Sequence, residues 1–166
     1  MLPTIKTILY STDLSIGSTA AFEHAAYLAK TTGANIHVLH VVEKLSREAK
    51  ITLQTYVLDA PSRKDIFEER VHRAQAKLEE RQNNFWNALP PEEQALRQQV
   101  LSVSVVEGYP AETILLEAQK RSVDLIVMGT HEKGMIQTFL GSVAKNVLSR
   151  AKIPVMTVPL PERRSD

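Results

Sequence analysis

The feature that most constrains this chain is its alternation of short β-rich apolar runs with helical stripes. Residues 5–10 form the first run, and a polar turn of Ser11, Thr12, Asp13 and Leu14 follows. Phe22, Ala25, Ala26 and Ala29 then recur at helical spacing, with Gly33 placed as the C′ stop. Residues 36–42 read as a second strand buried on both faces. A strand, a helix and a strand in that order require a parallel crossover, almost always right-handed.

The same logic continues to the end. Phe67, Val71, Ala74, Leu78 and Phe85 share a helical period, and the dense charges between them suit a solvated face. Pro90-Pro91 breaks that stripe, and a short helical turn over 92–99 is expected, since proline suits a first helical position. Residues 101–106 form a third strand, and Pro110 opens a helix with Ala111, Ile114, Leu115 and Ala118 on one face. Residues 124–128 form a fourth strand, 142–151 a last helix and 154–158 a fifth strand. The expected fold is α/β: a doubly wound, five-stranded parallel sheet, Rossmann-like, of order 3-2-1-4-5, with about four helices on its two faces. Residues 1–166 are expected to make a single domain. Residues 43–62 have no sustained period and read as an irregular excursion, and the charged tail at about 160–166 reads as frayed.

Composition closes off several function classes. Twenty Lys and Arg balance nineteen Asp and Glu for a net charge of +1, which gives no electrostatic case for nucleic acid or an anionic membrane. The absence of cysteine excludes disulfides, thiolate metal sites and cysteine nucleophiles. No basic segment followed by a long apolar core opens the chain, and no apolar run approaches the roughly 20 residues of a membrane span. A cytoplasmic location is the resulting expectation.

In a sheet of this kind a ligand sits outside the carboxyl ends of the strands, where the winding reverses. After the fourth strand comes Met128-Gly129-Thr130-His131-Glu132-Lys133-Gly134, and Gly141-Ser142 opens the last helix. Glycines let a phosphate approach the backbone, and a helix N-terminus offers N–H groups and partial positive charge. The plainer reading makes Gly129 a tight turn and Ser142 an N-cap. After the first strand, Asp13 can accept from a ribose hydroxyl or help hold a divalent cation between phosphates; the plainer reading is an Asx turn. The two loops fall on adjacent strands, and that joint placement favours a nucleotide.

These segments resemble the universal stress protein family over nearly the whole chain. The resemblance rests on Ile8-Leu9-Tyr10-Ser11-Thr12-Asp13, on His40-Val41-Val42-Glu43 and on Gly108-Tyr109-Pro110-Ala111. It is most specific over 124–159, in Asp-Leu-Ile-Val-Met-Gly-Thr-His, Leu-Gly-Ser-Val-Ala and Ile-Pro-Val-Met-Thr-Val-Pro. ATP-binding members carry Gly-x-x-Gly, a nine-residue spacer, then Gly-Ser or Gly-Thr. Gly129 and Gly141-Ser142 match; Glu132 replaces the second glycine and the spacer is one residue short, with Gly134 a possible substitute in a shifted alignment. A carboxylate about 5 Å from a triphosphate costs roughly 1 kcal/mol or more, so Glu132 must face outward or be offset by Lys133 or a metal.

The resemblance implies ATP or AMP, with Mg or Mn alongside, as the ligand. It implies adenine near Asp13 and Val41, and phosphates between the loop from Gly129 and Gly141-Ser142, with Val143 and Ala144 adding backbone donors. Ser11, Thr12, Met128, His131, Lys133 and Gly134 complete the expected contacts, and His131 reads equally as an exposed loop histidine. The resemblance also implies a homodimer through the last strand, 154–158, which would lie at a sheet edge. His40 reads as a packed, hydrogen-bonded core residue. No nucleophile elbow, P-loop ending or His-x-x-x-His pair is present, and nothing assigns a general base. The chain therefore reads as a nucleotide-binding stress-response or signalling module, with slow ATP hydrolysis the most that Asp13 would support. The alternatives are the same fold without nucleotide, acting as a regulatory dimer through protein contacts, and a nucleotidyltransferase-like enzyme, disfavoured because no His-x-x-His follows the first strand.

Overall fold

The computed structural model describes residues 1–15, 17–56, 60–130 and 140–159, of which 60–64 as backbone alone. The elements run β1 (Thr7–Thr12), α1 (Ser18–Thr32), β2 (Asn35–Glu43), α2 (Arg47–Tyr56), α3 (Ala60–Ala88), α4 (Pro91–Gln94), a 3-10 turn (Ala95–Gln99), β3 (Val100–Gly108), α5 (Pro110–Lys120), β4 (Leu125–Gly129), α6 (Ser142–Arg150) and β5 (Val155–Val158). All pairings are parallel and the order is β3-β2-β1-β4-β5. This is the doubly wound sheet expected. Its winding reverses between β1 and β4, which places the switch point at their carboxyl ends.

Both faces of the sheet are covered, which explains why its central strands read as nearly continuous apolar runs. Ile8, Tyr10, Ile36, Val38 and Val127 pack on Phe22 and Ala25 of α1 and on Leu78 and Trp86 of α3. Leu9, Leu39, Val41, Ile126 and Met128 pack on Ile114 of α5 and on Ala144 and Val147 of α6. Phe22 stacks edge-on against Phe85 and Trp86, and the indole N–H of Trp86 donates to Gln82 Oε1 at 3.2 Å. Gly33 ends α1 as expected: at φ +75° it is left-handed, and its N–H reaches Ala29 O at 2.9 Å. No helix among the described residues is long and apolar enough to cross a membrane.

Three expectations need correcting. Ser11 and Thr12 do not form a turn but complete β1, pairing with Leu39 and His40, and both are buried. Ladder pairing, with β2 for both and with β4 for Ser11 as well, outweighs their polarity. Within 43–62, residues Arg47–Tyr56 are helical and α3 already begins at Ala60. None of the side chains of α2 is buried, so it has no apolar stripe to reveal it. Its N-cap is Ser46, whose Oγ accepts from Ala49 N at 3.1 Å. Pro61 sits in the first turn of α3, where a missing N–H costs nothing. The described residues thus hold six α-helices instead of about four. The tail at 160–166 lies outside the described residues.

Candidate functional site

A cleft of about 940 Å³ opens at the carboxyl ends of β1, β2 and β4 and runs between the first turns of α5 and α6. That is at the upper end of the usual range for small-molecule sites. The residues named from sequence converge on it: Ser11, Thr12 and Asp13 from β1 and its turn, Val41 from β2, Met128 and Gly129 from β4, and Gly141, Ser142, Val143 and Ala144 from the start of α6. His131, Lys133 and Gly134, with Glu132 between them, lie outside the described residues.

The turn after β1 is built by local hydrogen bonds. Thr12 Oγ1 accepts from Leu14 N at 3.0 Å, and Asp13 Oδ1 accepts from Ser15 N at 2.9 Å. Leu14 is left-handed at φ +62° and buried, so packing holds a conformation that leucine disfavours. Asp13 therefore does make the Asx turn. Its side chain nonetheless stays exposed at the cleft wall, and the turn engages one of its two carboxylate oxygens.

On the opposite wall, Gly141 is the N-cap of α6, at φ −63° and ψ 155°, with no side-chain cap. Ser142 is thus the first helical residue and not the cap. Gly141 N donates to Thr130 O at 2.7 Å. Among the described residues, the nearest atom to a Cβ at Gly129 would be the Val158 carbonyl oxygen at 3.9 Å, and its φ is not left-handed.

His40 lines the cleft as well as packing within the sheet. Its Nδ1–H donates to the Thr12 carbonyl at 2.7 Å, a tautomer required because the acceptor has no proton to give. Burial holds its pKa below the ordinary histidine value, against the opposing pull of that bond and of Asp13. His37, lower on β2, is shifted the same way by burial and by Arg121, whose guanidinium donates to its Nδ1 at 3.1 Å. Both imidazoles are thus harder to protonate folded than unfolded. The unfolded chain takes up these protons first, so stability is full above about pH 6.5 and falls as pH drops below it. We expect the urea midpoint to fall between pH 7.5 and 5.5 at constant m-value, and less so in a His37→Asn, His40→Asn variant. A flat or rising wild-type midpoint would contradict this.

Sequence reasoning did not pick out several cleft residues: Arg70 from α3, Tyr109 and Glu112 at the start of α5, and Asn146 and Arg150 on α6. Tyr109 lies within a recognised motif, and Lys44 Nζ sits 5.7 Å from its ring centroid. Arg70 carried no signal, because only tertiary packing brings α3 to this wall. Its Nη2 donates to Glu43 O at 3.2 Å. Among the described residues no group of three or more histidines and carboxylates is disposed to hold a metal ion.

Comparison with known proteins agrees with the fold and the motifs. The sequence pattern of the universal stress protein family matches residues 4–159. Universal stress protein MJ0577 of Methanocaldococcus jannaschii is 29% identical over 154 residues, covering 92% of this chain and 94% of that protein. Universal stress protein MJ0531 of the same organism is 30% identical over 159 residues, covering 95% and 84%. The solved structure of MJ0577 superposes with a TM-score of 0.66 at 27% identity, covering 96% of this chain and 99% of that one. A universal stress protein solved in complex with cAMP shares the fold with a TM-score of 0.61 at 22% identity, covering 96% and 100%. With its strand order, its sheet-end cleft and a family match over nearly its full length, this chain belongs to the universal stress protein family.

Proposed function

We propose that this protein binds an adenine nucleotide, ATP or AMP, in the cleft at the switch point and acts as a cytoplasmic stress-response or signalling module. One observation carries the reading: the Asp13 turn and the N-terminus of α6 face a single cleft of nucleotide size, although they lie far apart in sequence. In this reading Asp13 accepts from the ribose, Val41 borders the adenine, and Ser11, Thr12 and Met128 form the floor. The phosphates lie between Gly129 and the first turn of α6, at Gly141, Ser142, Val143 and Ala144, where the helix dipole favours an anion. His131, Lys133 and Gly134 are assigned to the same phosphates, and Mg or Mn to the space between phosphate and Asp13. An approaching phosphate accounts for a glycine at 129 that neither its backbone dihedral nor packing among the described residues demands. A universal stress protein of this fold solved in complex with cAMP supports the reading. In this reading the role is binding, with hydrolysis slow at most.

We assign the assembly to a homodimer through β5, which stands at the sheet edge beside β4. Both assignments are tested on one set of samples. With ligand at about a hundred times its Kd, binding stabilises by about 2.7 kcal/mol, which for a chain of this length is a Tm rise of roughly 5–10 °C. No rise at millimolar ATP or AMP, with or without magnesium, overturns the nucleotide reading and leaves a regulatory dimer acting through protein contacts. Light scattering at high micromolar protein is expected to give the dimer mass; a monomer overturns the assembly.

A further inference from the structure

We infer that Arg81, on α3 and outside the cleft, is a positioning residue that holds the Asp13 turn in its working shape. The inference rests on the nucleotide reading for its functional meaning, and on geometry for its mechanism. Arg81 Nη1 donates to the Ser15 carbonyl at 2.8 Å, across 66 positions of sequence. That same carbonyl accepts from Ser18 N at 3.2 Å and Ser18 Oγ at 2.7 Å. The N–H of Ser15 in turn donates to Asp13 Oδ1 at 2.9 Å. Ser15 is therefore gripped at both ends, its carbonyl by a cation and its amide by the carboxylate that faces the cleft. Hydrogen bonds to a charged donor are the stronger kind, so the guanidinium is the dominant grip.

The base from which Arg81 reaches is rigid. Leu78, Gln82 and Trp86 flank it on α3 and are buried, Leu78 and Trp86 in the core shared with the sheet and α1. Leu14, one residue before Ser15, is left-handed and would relax if the turn were loose. Arg70 lies eleven residues earlier on α3, about three turns, and so on nearly the same side of the helix. Its donation to Glu43 O reaches the last residue of β2. One helix thus ties down the turn after β1 and the carboxyl end of β2, and a displacement of α3 would reach Asp13 through Arg81 and Ser15.

The test compares Arg81→Met, which removes the donor, with Arg81→Lys, which keeps a charged donor of similar reach. Loss of the grip is expected to raise the Kd for AMP about tenfold in Arg81→Met, while Arg81→Lys stays within about threefold of wild type. If Arg81 acts through Asp13, its removal adds nothing once Asp13 is gone. The double variant Arg81→Met, Asp13→Ala is then expected to bind like Asp13→Ala alone, within about twofold. A purely structural contribution would multiply instead, and that result, or an unchanged Kd in Arg81→Met, overturns the proposal.

Amide hydrogen exchange at Ser15 and Ser18 reads the mechanism without any ligand. Exchange about tenfold faster in Arg81→Met supports it and unchanged exchange overturns it. Should the wild type bind no nucleotide, the functional reading fails, and exchange still decides whether Arg81 holds the turn. Should Arg81→Met fail to fold, Arg81→Gln is measured in its place by the same two readouts.

Discussion

Replacing Asp13 with alanine is expected to weaken AMP or ATP binding by about 10–100-fold. The range follows from losing one hydrogen bond between a charged group and a ribose hydroxyl, worth about 1.5–3 kcal/mol. The substitution also removes the acceptor for Ser15 N, so the turn loosens along with the contact. Asp13→Asn separates the two effects, because an amide oxygen still closes an Asx turn but accepts more weakly from the ligand. It should fall between wild type and alanine. Titration calorimetry measures each Kd, and an alanine variant within twofold of wild type would remove Asp13 from the site.

Replacing Ile126 with alanine is expected to destabilise the fold by about 3–4 kcal/mol, within the usual range for a buried isoleucine. Ile126 has no exposed surface and sits on β4 between β1 and β5, facing the helices α5 and α6. Its neighbours are strand and helix residues that themselves bear on the cleft floor, so the cavity left behind has little freedom to collapse. Against a total stability of about 5–15 kcal/mol for a domain, this is a large fraction. Leu116→Ala is the control: that side chain is half exposed on α5, and its loss should cost well under 1 kcal/mol. Urea unfolding measures both, and an Ile126→Ala variant within 1 kcal/mol of wild type would contradict the packing described.

These two positions show what kinds of residue a sequence makes legible. Ile126 belongs to an apolar run whose length and flanking polar residues mark a strand covered on both faces. Asp13 follows such a run, and parallel sheets bring their ligands to that end. The same reasoning located Gly129, Gly141 and Ser142. It went astray where polarity and structure part company: Ser11 and Thr12 look like a turn, yet pairing with β2, and for Ser11 with β4 too, draws them into β1. His40 read as a core residue because its neighbours are apolar, and the structure shows it packed and hydrogen-bonded but also at the cleft wall.

What the sequence alone determined is therefore the set of elements with a buried face, together with the motif-bearing strand ends. A buried face imprints its period on the chain, and a glycine turn or helix start is written in adjacent residues. Only the tertiary structure decided the rest. The exposed helix Arg47–Tyr56 leaves no apolar period to detect, and the reach of Arg70 and Arg81 to Glu43 and Ser15 spans 27 and 66 positions. Such contacts depend on how a helix lies across a sheet, which packing of whole surfaces settles and no local pattern records.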